Sequence, residues 1–126
     1  MEILNSFFCD AATQDSSGKV SVLGIFTNIT AQQYPATHPH MSLAVMFKAQ
    51  LNEIGKHDFK IRFIDADGKT IIPPIEGNLE IQDLTPFGSF IFNFQNVIFD
   101  KAGLYSMDII LDKKLERSIP LTLIAV

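Results

Sequence analysis

The sequence predicts an all-β domain, an antiparallel sandwich of eight or nine short strands spanning residues 1–126. Three observations carry this prediction. Apolar residues recur with period two in segment after segment. Turn-forming Gly, Pro, Asp and Asn fall between those segments. The composition, 47% hydrophobic and 19% charged over 126 residues, suits one packed core and argues against disorder.

The first segment, residues 2–12, is read as a strand. Ile3, Leu4, Phe7, Phe8, Ala11 and Ala12 also fit one face of a helix. Asn5, Ser6, Cys9 and Thr13 form helices poorly, however, and the run is short. Asp15-Ser16-Ser17-Gly18 then closes a first hairpin. In the next strand Val20, Val22 and Phe26 lie on one face and Leu23 and Ile25 on the other. Apolar groups on both faces predict a strand covered on both sides.

From Met41 the odd positions read Met41, Leu43, Val45, Phe47, Ala49 and Leu51. From His57 they read His57, Phe59, Ile61 and Phe63, against Asp58, Lys60 and Arg62. Each is a strand with one buried and one wet face. Asn52-Glu53-Ile54-Gly55 separates the two, and Asp65-Ala66-Asp67-Gly68 is a hairpin loop in which Gly68 can take positive φ. Pro73-Pro74 interrupts pairing, because neither residue has an N–H to donate.

A shorter strand covers Leu79 and Ile81. Phe90, Phe92 and Phe94 alternate with Ser89, Asn93 and Gln95, and Tyr105, Met107, Ile109 and Leu111 with Ser106, Asp108 and Asp112. The last strand shows Ile119, Leu121 and Leu123. It contains Pro120, so it is expected at an edge or with a bulge.

Two resemblances add to this reading. Asp100-Lys101-Ala102-Gly103-Leu104-Tyr105-Ser106-Met107 resembles the Asp-x-Ala-Gly-x-Tyr-x-Cys stretch of immunoglobulin-like domains. The resemblance implies an immunoglobulin-like sandwich in which Tyr105 forms the tyrosine corner. Met107 stands where those domains place a disulfide cysteine, so a disulfide-free variant is implied. Phe8-Cys9-Asp10, Gly18-Lys19-Val20-Ser21-Val22-Leu23-Gly24-Ile25-Phe26, Tyr34-Pro35 and His38-Pro39 together look like an uncharacterised family of small bacterial proteins. That second resemblance implies a fold and no activity.

Charge and cysteine usage bound the function. The formal net charge is −4 and the ten Lys and Arg are scattered. Nucleic-acid binding and docking on anionic membranes both need a basic patch, so neither is expected. The single cysteine allows no intrachain disulfide. Met1-Glu2-Ile3-Leu4-Asn5 has no basic n-region and no long apolar run, and a cytoplasmic location is expected.

His38-Pro39-His40 is the candidate metal site, since two imidazoles two residues apart on an extended chain can share a zinc ion. A third ligand would have to come from Cys9, His57 or an Asp. A polar connecting loop accounts for the same residues. Asp65-Ala66-Asp67-Gly68 resembles the opening of a calcium loop, with Glu76 at the twelfth position, but Pro73-Pro74 intervenes and a hairpin turn is the expected reading. Cys9 with His38 or His57 would make a nucleophile and base, yet Phe7 and Phe8 raise a thiol's pKa and an inert buried thiol is expected. His57 is read as a satisfied histidine at the rim. Glu2, Asp10, Asp15 and Glu53 are unpaired surface carboxylates in this reading.

No catalytic constellation and no cofactor are therefore expected. The reading favours a non-catalytic protein-interaction or structural domain, with an unidentified protein partner or self-association as a homodimer through an edge strand. The alternative is a small-molecule or metal-binding protein using the loop of His38 and His40.

Overall fold

In the computed structural model residues 1–82 and 87–126 are described. They form nine strands: β1 (Glu2–Gln14), β2 (Val20–Phe26), β3 (Asn28–Ala31), β4 (Ala36–Lys48), β5 (Gly55–Asp65), β6 (Ile75–Ile81), β7 (Phe87–Phe99), β8 (Gly103–Leu111) and β9 (Lys114–Ala125). Two sheets pack face to face as a β-sandwich. One has the order β2-β1-β4-β7 and the other β3-β9-β8-β5-β6. The first segment is a strand, as its weak helix formers predicted.

The period-two residues meet between the sheets. Phe63 of β5 is fully buried and reaches three rings of the opposite sheet: Phe8 (centroids 5.9 Å apart), Phe94 (6.4 Å) and Phe99 (5.8 Å). Met41, Leu43 and Val45 of β4 face Met107, Ile109 and Leu121, all shielded from solvent. Such aromatic contacts add to area burial and fix how the two sheets sit. Tyr105 forms the expected corner: its hydroxyl donates to the carbonyl of Lys101 (2.7 Å), and its ring packs edge-on against Phe99 (5.0 Å).

Asp15-Ser16-Ser17-Gly18-Lys19 and Asp65-Ala66-Asp67-Gly68-Lys69 build the same turn twice. In each, the Asp Oδ1 accepts the N–H two and four residues on, all at 2.9 Å. The Gly takes φ of 88° in one and 82° in the other. A carboxylate folded into its own turn supplies the local bonds that water would otherwise make.

Three features depart from the sequence reading or refine it. β3 pairs parallel with β9, Asn28 opposite Thr122, in a sandwich whose other pairs are antiparallel. β9 consequently has a neighbour on each side, but β3 reaches only Thr122–Ala125. Pro120 lies on the stretch that β3 leaves uncovered, where a missing N–H costs no ladder bond.

The third departure corrects an expectation. β2 is not covered on both faces: it lies at the sheet's edge, with Leu23 72% and Ile25 56% exposed. The reason is a bend in β1. Ser89, Met46 and Asn5 sit side by side across three strands. A straight strand would carry Gln14 about 30 Å beyond Asn5, yet Gln14 Nε2 donates to Ser89 Oγ at 3.0 Å. The β1–β2 hairpin therefore folds back across the sheet. Its bend falls where Gly24 takes φ of 68° and the Asp10 carboxylate occupies the space a Cβ would need. Val20 and Val22 turn partly inwards, and Leu23 and Ile25 turn out.

Candidate interaction surface

Charge divides between the sheets. The four strands of the first sheet carry Glu2, Asp10 and Lys48 and no other Asp, Glu, Lys or Arg; β2 and β7 carry none. The second sheet, of similar size, carries eleven. Depletion of charge with exposed apolar side chains is the compositional mark of an interface core.

Register shows what the first sheet presents outwards. Ile25, Cys9, Ser42 and Asn93 form one row across it, and Phe7, Ala44 and Ile91 the next. Cys9, Ser42 and Ala44 are buried although they lie on the outer face. Leu23 and Ile25 stand at the hairpin's exposed side. Beneath its tip, Leu4, Val20, Met46 and Phe87 line an open cleft of about 760 Å³, rimmed by Asn5, Gln14 and Lys19.

The other sheet pairs some of its charges across its own strands. Arg62 of β5 pairs with Asp108 of β8 (2.9 Å), a carboxylate only 4% exposed on the outer face, and Ser118 Oγ donates to the same group (2.6 Å). Burial pushes the Asp108 carboxyl up, but these hydrogen bonds outweigh it and hold it below the usual carboxylate range. The sequence reading missed this network. Arg62, Asp108 and Ser118 match across three strands that are neighbours in the sheet but not all neighbours in the chain, so the pairing shows only with the topology.

The candidate site residues lie apart. The His38 ring packs against Phe26 (5.9 Å), and burial pulls its pKa down. His40 Nδ1 instead meets the carbonyl of Asp10 (2.8 Å). Among the described residues no group of three or more His, Cys, Asp or Glu side chains is placed to hold a metal ion. Cys9 is fully buried with Sγ 3.8 Å from the Ser42 carbonyl; burial, with the Asp10 charge, raises its pKa. His57 is engaged through both nitrogens, Nδ1 with Asp112 Oδ2 (2.6 Å) and Nε2 with the Glu53 carbonyl. Neither nitrogen is left to serve as a base towards a substrate. Asp65 is spent on its turn, and Glu76 stands opposite Lys60 on β5, away from that loop. Phe90 and Phe92 pack on Phe59 (6.1 and 5.5 Å) at the partly open flank of the core. Among the described residues no helix is long and apolar enough to cross a membrane.

Fold and surface together define an all-β sandwich domain with one charge-poor sheet and one charged sheet. Residues 4–124 match a family of unknown function, DUF6941, and the chain belongs to that family. No curated protein matches the chain.

Proposed function

We propose that this chain is a non-catalytic, cytoplasmic protein-interaction domain of immunoglobulin-like type, and that the charge-poor sheet is the face it offers. The segregation of charge carries the proposal. A surface meant only for solvent has no reason to lose its charges from one sheet while an equal sheet keeps eleven. Leu23 and Ile25, held outwards on an edge strand, are the exposed apolar anchors.

The immunoglobulin-like assignment is supported by two features. The first is the tyrosine corner of Tyr105 at the start of β8. The second is strand order: β1, β4 and β7 correspond to strands A, B and E, and β5, β8 and β9 to C, F and G, with β6 added beside C. Such sandwiches recognise partners through loops and edges. The absence of catalysis is argued from Cys9 and His57, whose reactive atoms are buried or already engaged.

The test is cross-linking with mass spectrometry on untagged protein isolated gently from its own host. The proposal expects cross-links and exchange protection on β1, β2, β4 and β7. Contacts confined to β5, β6, β8 and β9 would refute the assignment of the face. Turnover of a small molecule by the purified chain would refute the non-catalytic reading.

A further inference from the structure

Among the described residues the sandwich has four edge strands, β2, β3, β6 and β7. An edge presents unpaired N–H and C=O groups, and natural proteins blunt it with short length, charge or proline. Three of the four are blunted. β3 is four residues long. β6 carries Glu76 and Glu80, which would oppose like charges in a second strand of the same kind. β2 has seven residues and is twisted at Gly24, with φ of 68°.

β7 is the exception. It has thirteen residues, no charge and no proline; its one left-handed residue, Asn96 with φ of 53°, lies near its end and leaves Phe87–Gln95 as a run longer than all of β2, and among the described residues no strand pairs with its outer side. An immunoglobulin-type sheet orders its strands A-B-E-D. On the correspondence above, β7 is strand E and the place of D beside it is held by no described strand; the sheet's fourth member, β2, lies at the opposite end. Phe87 is 60% exposed, and Phe90 and Phe92 are partly exposed along this flank.

We infer that the place beside β7 is taken by β7 of a second copy, antiparallel about a two-fold axis, joining two four-stranded sheets into one of eight. The inference rests on the interaction-domain reading and names one contact of the same sheet. Three observations select a second copy. The strand that would fill the place must be long and unpaired, and β7 itself is such a strand. A two-fold pairing of β7 sets only uncharged residues against one another, whereas the same pairing of β6 would set Glu76 against Glu80. An isologous contact satisfies both free edges at once and closes, so it does not propagate into a filament. Thirteen residues run about 44 Å. With the flanking Phe rings, that places the contact near the low end of stable interfaces, about 1,200 Å². The dimer is therefore weak and concentration-dependent.

Full overlap puts Asn93, the middle residue of β7, opposite its own copy, within the Cα separation that a disulfide spans. The test combines two measurements. Hydrogen exchange of the unmodified chain is followed from low to high micromolar concentration. Mild oxidation is applied to Asn93→Cys and, as a control on the other edge, to Leu23→Cys, the middle residue of β2, both in a Cys9→Ala background. The inference expects alternate amides of residues 87–99 to exchange roughly tenfold or more slowly as concentration rises, and a disulfide-linked dimer for Asn93→Cys alone. A monomer at every concentration, or protection and cross-linking confined to β2, would overturn it. Neither of those results touches the broader reading, which falls only if protein isolated from its host shows no contact on the charge-poor sheet.

Discussion

Arg62 Nη2 donates to Asp108 Oδ2 at 2.9 Å across the β5–β8 pair, while Ser118 and Ser106 donate to Asp108 Oδ1 at 2.6 and 3.2 Å. A carboxylate that is almost wholly buried thus has both oxygens satisfied. Replacing Asp108 by Ala leaves the Arg62 charge and two hydroxyls without their acceptor. Hydrogen bonds to a charged group carry about 1.5–3 kcal/mol each in mutational series, and the partial exposure of Arg62 places the loss near 2 kcal/mol. Urea denaturation should show that drop at neutral pH. The folded-state pKa of Asp108 is depressed, so its contribution is full above the unfolded value of about 3.9 and is lost as pH falls through the folded value. The difference between the native chain and Asp108→Ala should therefore shrink in strong acid.

His57 and Asp112 give a second pH signature. The hydrogen bond to Asp112, and then that to the Glu53 carbonyl, raise the His57 pKa, while the same bond to His57 lowers that of Asp112. The raised histidine contributes fully below its unfolded value of about 6.5, and the contribution fades as pH rises through the folded value. The depressed aspartate contributes above about 3.9 and fades as pH falls through its folded value. The pair is strongest between those limits. The melting temperature of the native chain relative to His57→Gln should be highest near pH 5–6, a window set by those two reference values. It should narrow above neutrality. Asp112 is half exposed, so the whole effect stays within about 1 kcal/mol.

The β8–β9 turn holds Asp112 and Lys113 at φ of 50° and 65°, left-handed values at two residues that are not glycine. Asp112 is needed there, since Oδ1 accepts the Asp58 N–H (3.1 Å) and Oδ2 meets His57. Lys113 makes no such bond. Lys113→Gly should relieve strain without loss of contacts and stabilise the chain by about 0.5–1 kcal/mol. The denaturation midpoint should rise with an unchanged slope.

Cys9 should not react with iodoacetamide near neutral pH until the chain is unfolded. Its sulfur has no solvent access, and burial holds the thiol protonated. Rapid alkylation of native protein, read by intact mass, would show that the hairpin over the sheet opens and would revive the nucleophile reading.

The strands were legible because most of them have one wet face, so alternation shows in the residue types. Phe59, Ile61 and Phe63 against Asp58, Lys60 and Arg62 is such a case. The turns were legible because Asp, Gly and Lys recur at fixed offsets, at Asp15 and again at Asp65. The position of Val20–Phe26 was not. Two apolar faces read equally as a strand between two layers and as one exposed to a partner, and only the bend at Asp10 and Gly24 separates the cases. Nor could periodicity pair β3 with β9, because four residues carry too little pattern and the contact spans more than ninety positions of sequence. The candidate metal ligands were judged by spacing alone, and spacing does not reveal that His38 leans on Phe26 while His40 turns to Asp10. The charge-poor sheet was written in the sequence all along, but it becomes visible only when charges are counted by sheet, which requires the topology.

The central claim is that this domain makes its contacts through the charge-poor sheet. Its most direct test is a matched pair of charge insertions on exposed leucines and isoleucines. Leu23→Lys with Ile25→Lys alters the charge-poor sheet, and Leu104→Lys with Leu115→Lys alters the other at comparable exposure. Each variant is isolated untagged from its host and its assembly is read by native mass spectrometry. The claim predicts that the first pair loses a bound partner protein and the second pair keeps it, while the pairing of β7 with β7 of a second copy, at the opposite edge of the sheet, survives both. Loss with the second pair and retention with the first would contradict it.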